Sequence, residues 1–100
     1  MGEIFDIANH KMAVIHDDGA VFNLQNLKLG YVSESGEVFS NTNQKVGHID
    51  SKGYIFDEKL SHIGTVKSNG EVCDFELHKL GMVRGDHIEL GGAAFLLLVR

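Results

Sequence analysis

The glycines of this chain recur at a fixed interval, and that interval constrains the fold more than any other feature. One series falls every 17 residues, at Gly2, Gly19, Gly36, Gly53 and Gly70. A second series has the same step and comprises Gly30, Gly47, Gly64 and Gly81, with Ala13 in the place before Gly30. Because 9 of the 12 glycines belong to these two registers, the sequence predicts a repeat architecture.

Other positions keep the same step. A β-branched residue follows the first glycine series by two positions, as Ile4, Val21, Val38, Ile55 and Val72. The next position holds Phe5, Phe22, Phe39, Phe56 and finally Cys73. We therefore expect a single domain over residues 1–100 that is built from five units and a closing tail. The units are about 2–18, 19–35, 36–52, 53–69 and 70–86, and the tail is 87–100.

Each unit contains short runs of β-branched and aromatic residues bounded by Gly, Asp, Asn and Ser, which is typical of strands. No apolar stripe at helical spacing persists, so the sequence predicts no helix. A three-residue loop such as Asp17-Asp18-Gly19 suits a type I turn closed by a G1 bulge, because glycine accepts the left-handed conformation. In that register Ile15 lies opposite Val21, Val32 lies opposite Val38, and these residues point to one face.

An isolated hairpin of this length is not stable in water, so the units must share one core. The predicted fold is all-β, with five hairpin repeats of about 17 residues arranged pseudo-symmetrically around a central axis. We expect the second glycine series to mark close backbone approach between units. We also expect the phenylalanine position to lie in the core, because aromatic residues at strand spacing usually do.

The tail contains the most apolar run of the chain, residues 93–99. Seven residues are too few to cross a bilayer, and an exposed strand of this composition would aggregate. We therefore expect a buried C-terminal apolar strand that closes the ring against the first strand. The alternative is that this strand forms a homo-oligomer interface.

The stretch IGTVKSNGEVCDFELHKLGMVRG, followed by the tail GGAAFLLLV, resembles the bacterial five-fold beta-flower family. A related four-fold family has similar glycine-valine units and is the second choice. The resemblance covers essentially the whole chain and implies a pseudo-five-fold assembly of hairpins, without an established activity. Ala13 and His87 replace glycines of the pattern, so symmetry should be poorest between units one and five, and the turn at His87 irregular.

Four lysines share one repeat position and are candidate anion-binding residues: Lys11, Lys28, Lys45 and Lys79. A closed ring would place them on one circle, where converging ammonium groups attract phosphate or sulfate. The alternative is a solvated face whose aliphatic stems cover apolar surface. His10 and His78 also share a position, and a metal site between them competes with two ordinary loop histidines. No cofactor is predicted.

Asp6, Asp57 and Asp74 share a position with Asn23 and Ser40, so we expect these side chains to stabilise turns rather than to catalyse. Cys73 is expected to be a small buried residue, since it stands in the phenylalanine position. We found no catalytic motif. We therefore predict a non-enzymatic structural or protein-interaction module, with an anion- or metal-ion-binding domain as the alternative.

Fourteen acids against nine bases give a net charge of −5, which disfavours nucleic acid and anionic membranes as partners. An unknown protein partner is expected instead, with a homo-oligomer through the apolar tail as one possibility. The N-terminal residues lack the pattern of a signal peptide, and the single cysteine excludes an intrachain disulfide. These features favour the cytoplasm.

Overall fold

The computed structural model describes residues 1–100 as a closed antiparallel barrel of ten strands. The strands are β1 (Gly2–Asp6), β2 (Lys11–Ile15), β3 (Ala20–Asn23), β4 (Lys28–Val32), β5 (Glu37–Ser40), β6 (Lys45–Ile49), β7 (Tyr54–Asp57), β8 (His62–Val66), β9 (Glu71–Asp74) and β10 (Lys79–Gly85). Each strand pairs with the next, and the molecule measures 31 × 29 × 19 Å. The predicted all-β repeat fold around a central axis is confirmed.

The first and last strands close the ring, and the C-terminal tail does not. β1 pairs with β10 over five residue pairs, from Gly2 opposite Gly85 to Asp6 opposite Gly81. The equivalent pairing of β2 with β3 extends over only three residue pairs. The junction between units five and one therefore differs from the other junctions, because its strands pair over a greater length.

The predicted hairpin register is confirmed. Ile15 lies opposite Val21 and Val32 opposite Val38, and these residues are buried in one core cluster. Gly19 has a φ of 91°, as the predicted turn requires. In the irregular fifth turn His87 takes the glycine position with a φ of 59°.

The phenylalanine position was wrongly predicted to lie in the core. Phe5, Phe22, Phe39 and Phe56 are only partly buried, because each follows a residue that points into the barrel and successive strand residues face opposite sides. On the outer wall their rings stack on side chains of the neighbouring strand; Tyr31 and Phe39, for example, have ring centroids 4.9 Å apart. Cys73, in the same repeat position, is buried as predicted.

The tail was wrongly predicted to be a strand. It forms an α-helix, α1 (Ile88–Ala94), that continues as a π-helical segment (Phe95–Val99) inside the barrel. In a closed barrel both edges of every strand are already paired, so a segment in the lumen must satisfy its own backbone hydrogen bonds. A helix does so, which also contradicts the expectation of no helix. Neither helical segment is long and apolar enough to span a membrane.

Large and small residues alternate between the barrel and the helix along the axis. In the middle of α1 the helix contributes Gly91 and Gly92, which face Val83 and Val66 of the barrel. In the π-helical segment the helix is bulky and the barrel contributes the second glycine series. The facing pairs there are Phe95 with Gly81, Leu96 with Gly64, Leu97 with Gly47, and Leu98 with Gly30. The two surfaces are thus complementary in shape at both levels.

Four consecutive side chains of the π-helical segment therefore meet four successive units of the ring. An α-helix turns by about 100° per residue, whereas neighbouring units of a five-fold ring lie about 72° apart. The wider π-helix, marked here by the bond from the Arg100 N–H to the Phe95 carbonyl, turns by less per residue and comes closer to the step of the ring.

The second glycine series also marks close backbone approach between units, as predicted. A Cβ atom on Gly47 would meet the carbonyl oxygen of Phe56 in the next unit and would lie 2.7 Å from Leu97 Cδ1. The corresponding atom on Gly30 would meet the carbonyl of Phe39 and lie 3.0 Å from Leu98 Cδ1. The position is therefore restricted both by backbone and by the axial helix.

Candidate functional site

The two ends of the barrel differ in structure and chemistry. The apical end carries the glycine turns between β2 and β3, β4 and β5, β6 and β7, and β8 and β9, together with the start of α1. The basal end carries the loops that connect the strands within each unit, which are 7–10, 24–27, 41–44, 58–61 and 75–78. The π-helical segment ends at this basal end.

One side chain at the start of each basal loop holds the loop in place, as predicted for the Asp6 position. Asp57 Oδ1 accepts hydrogen bonds from the N–H groups of Lys59 and Ser61, at 2.9 and 3.0 Å. The same bonds recur in the other four units, made by Asp6, Asn23, Ser40 and Asp74. In unit five the backbone N–H of His78 lowers the pKa of Asp74 most strongly.

The third residue of every basal loop has a left-handed backbone, and its identity divides the units in two groups. Units one to three place asparagine there, which tolerates this conformation: Asn9, Asn26 and Asn43. Units four and five place Leu60 and Leu77 there, with φ values of 66° and 68°. A bulky residue with this backbone is strained by about 1–2 kcal/mol. Both leucines are also exposed, at 71% and 66%.

Six of the eight exposed large hydrophobic residues of the protein lie in basal loops. We call this set the apolar arc: Ile7, Leu24, Leu27, Leu60, Phe75 and Leu77. The loop of unit three, residues 41–44, is entirely polar and interrupts it. Leu97, Leu98 and Val99 remain partly exposed where the axial helix ends. A concentration of exposed apolar side chains at one end is typical of an interaction surface.

Each of the four lysines predicted to bind an anion contacts a side chain of its own unit. Lys11 Nζ lies 2.8 Å from Glu3 Oε2, and Lys45 Nζ lies 2.9 Å from Glu37 Oε2. Lys79 Nζ lies 3.6 Å from Glu71 Oε2, and Lys28 Nζ lies 5.7 Å from the Tyr31 ring centroid. These contacts distribute the ammonium groups around the outer wall.

The lysines help to lower the pKa values of the glutamates that they contact. The hydrogen bond from Lys11 lowers the pKa of Glu3, and that from Lys45 lowers the pKa of Glu37. For Glu71 the hydrogen bond from the Asn69 side chain is the largest cause of its lowered pKa, ahead of Lys79. Each lysine near a glutamate is therefore already engaged by a local anion.

His10 and His78, which share a repeat position, each contact the aspartate at the start of their own loop. His10 Nδ1 lies 3.5 Å from Asp6 Oδ2, and His78 Nδ1 lies 3.2 Å from Asp74 Oδ2. No group of three or more His, Cys, Asp and Glu side chains lies close enough to hold a metal ion.

A third histidine-aspartate pair lies at the apical end, beside the start of α1. His87 Nε2 lies 3.0 Å from Asp17 Oδ1, and the Met1 amino group lies 2.8 Å from the same oxygen. The amino group is the largest cause of the lowered pKa of Asp17, and His87 is the next. No hydroxyl or thiol is hydrogen-bonded to His87, so this pair has no partner of the kind that it would activate as a nucleophile.

Sequence reasoning missed the apolar arc. Ile7, Leu24 and Phe75 share the first position of the basal loop, but Asn41 and Glu58 stand there in units three and four. The left-handed position does have a signal in the sequence, because three asparagines and two leucines recur there at the 17-residue step. Asparagine at a loop position predicts a left-handed backbone, and the leucines are then anomalous.

The architecture defines a class of protein: a single-chain β-repeat ring of pseudo-five-fold symmetry with a helix on its axis. The chain belongs to the 5-fold beta-flower family, whose family model, described as 5-fold beta-flower protein, matches residues 1–99. This confirms the five-fold family over the four-fold one. The description names no activity and nothing in it indicates catalysis. No curated protein and no solved structure shows a significant match.

Proposed function

We propose that this protein is a non-catalytic protein-interaction module that binds through its basal end. The observation that carries the proposal is the apolar arc, which holds six of the eight exposed large hydrophobic residues. The other two, Met1 and Tyr54, lie at strand ends next to the apical turns, although the same repeat generates both ends. Exposed apolar groups that lie together in this way are characteristic of partner surfaces.

The ionisable groups support a non-catalytic function. The pKa values of Glu3, Glu37, Glu71 and Asp74 are lowered by lysine, amide or backbone partners, which stabilise the charged form. General acid-base catalysis near neutral pH generally requires shifts of carboxylates in the opposite direction. The only thiol, Cys73, is buried.

Site-specific photo-crosslinking tests this proposal. A benzophenone side chain is placed at Phe75 in the apolar arc, and in a matched variant at Ser51 in an apical turn. Both positions are exposed, so the probe should not disturb the core at either position. In cells that produce the protein natively we expect discrete protein adducts from the Phe75 variant and few from the Ser51 variant. Equal labelling from both positions, or no adduct from Phe75, would overturn the proposal.

A further inference from the structure

We propose that the partner of the basal end is a second copy of this chain, bound face to face about a two-fold axis that passes through the loop of unit three. This inference rests on the interaction function proposed above and names its partner. Three features of the molecule lead to it: the distribution of charge between the two ends, the order of polar and apolar loops around the ring, and the strained leucines.

The net negative charge of the protein is concentrated at the apical end. The acids there are Asp17, Asp18, Glu34, Asp50, Asp86 and Glu89, and the lysines near them are Lys52 and Lys67. At the basal end, cationic side chains offset the carboxylates of the strand ends and loops: Lys11, Lys28, Lys45, Lys59, Lys79 and Arg100. Two basal ends can therefore meet without repulsion between like net charges, whereas two apical ends, both negative, would repel each other.

The order of loops around the ring fits an isologous interface, in which the same patch of both copies is used. A two-fold axis through the loop of unit three brings this polar loop, 41–44, against itself. The same operation brings Leu24 and Leu27 of unit two against Leu60 of unit four, and Ile7 of unit one against the loop of unit five. Every apolar loop then meets an apolar loop.

The centre of the basal end adds to this surface. Leu97, Leu98 and Val99 are partly exposed on the axis, where the two copies would face each other. An apolar centre that is surrounded by paired and hydrogen-bonded polar groups is the arrangement found in stable protein interfaces. The lysine-glutamate pairs on the outer wall would then form the rim.

Leu60 and Leu77 are difficult to explain in a monomer. Both have the left-handed backbone that asparagine occupies in units one to three, and both expose their side chains. Asparagine at these positions would remove the strain and the exposed apolar surface together. Contact with a second copy gives the leucine side chains a function that offsets both penalties.

The test measures the monomer-dimer equilibrium of the full chain by sedimentation velocity from low to high micromolar concentration. We expect a reversible dimer. The double variant Leu60→Asn, Leu77→Asn should weaken it by about tenfold or more, since each copy loses two apolar contacts. The control Glu34→Gln, at the apical end, should leave the dissociation constant unchanged. A wild-type protein that stays monomeric, or a double variant that dimerises equally well, would overturn the inference.

A second measurement tests the geometry. A benzophenone side chain at Leu24 should form intermolecular crosslinks to residues 58–61, which belong to a loop that is not a neighbour of loop 24–27 within one chain. Crosslinks to another loop would overturn the proposed axis. If Phe75 captures a different protein and the chain is monomeric, self-association fails while the interaction function stands. If Phe75 captures nothing, both fail.

Discussion

The apical and basal halves of the barrel are built from one repeat, yet they distribute bulk and polarity in opposite ways. In the apical half the barrel supplies Val83 and Val66 and the helix supplies glycine. In the basal half the helix supplies Leu97 and the barrel supplies Gly47. Outside, the apical turns are polar, whereas the basal loops carry the apolar arc. One repeat thus gives both ends a regular backbone, while their exposed side chains differ in polarity.

The largest expected effect on stability comes from adding a methyl group in the basal half of the lumen. Gly47→Ala should destabilise the protein by about 3 kcal/mol or more, because its methyl group meets both a backbone carbonyl and Leu97. Adding Leu97→Ala should not rescue it, since the Phe56 carbonyl remains in place. The free energy of unfolding in urea measures both variants.

The apical counterpart is Gly91→Ala, whose methyl group meets the Val83 side chain of the barrel, at 2.7 Å from Val83 Cγ1 and 3.6 Å from Val83 Cβ. Here the second substitution, Val83→Ala, removes the Cγ atoms and with them the obstacle, so the pair should show a favourable coupling energy in a double-mutant cycle. Rescue of Gly47→Ala by Leu97→Ala, or no coupling between Gly91 and Val83, would contradict the contrast between the halves.

The next effect concerns the basal loops alone. Asp57→Ala removes the acceptor of two backbone hydrogen bonds and should lower the free energy of unfolding by about 1 kcal/mol. Asp57→Asn is the matched control, because Asn23 makes the same bonds in unit two. If the asparagine variant were as unstable as the alanine variant, charge rather than hydrogen bonding would hold the loop.

The sequence predicted the parts of the fold that repeat. The 17-residue step correctly predicted the strand register, the left-handed conformation of Gly19 and the turn-forming role of Asp57, because each depends on local backbone geometry. It failed for the tail, since residues 93–99 contain no polar residue to mark a helix face. The helix is dictated by the closed barrel around it, which is a tertiary constraint.

The candidate site was harder to predict for a related reason. Lys11 and Lys45 share a repeat position, but the glutamates that engage them stand eight residues away on the paired strand. The apolar arc combines residues from three loop positions, and the apolar residues at each position, such as Ile7 and Phe75 at the first, are replaced by polar residues in other units.

A smaller effect of opposite sign concerns the left-handed loop position. Leu60→Asn should raise the free energy of unfolding by up to about 1 kcal/mol, because asparagine tolerates this backbone better. Asn26→Leu is the reverse control, since Asn26 has the same backbone with a φ of 66°, and should lower it by a similar amount. Urea denaturation at a concentration below that of self-association measures both. A loss of stability in Leu60→Asn would show that the leucine side chain stabilises the monomer itself.

The smallest effect concerns the outer wall, which joins the two ends. The pKa of Glu3 is lowered below its usual 4.5 by Lys11, so this pair stabilises the fold above that pH, and the contribution is lost as the pH falls through the lowered pKa. Lys11→Met should therefore reduce stability at neutral pH but leave it unchanged once Glu3 is protonated in both states. Because the pair is exposed, the difference should also shrink at high salt.

Unit two provides the control for this last measurement, because Ala20 stands where unit one has Glu3. Lys28→Met therefore removes a lysine with no glutamate opposite it, and its effect on stability should not change between pH 7 and the acid range. Thermal unfolding of both variants across that range compares them directly. An equal dependence on pH in the two variants would mean that general surface charge, and not the pairing of Lys11 with Glu3, links stability to pH.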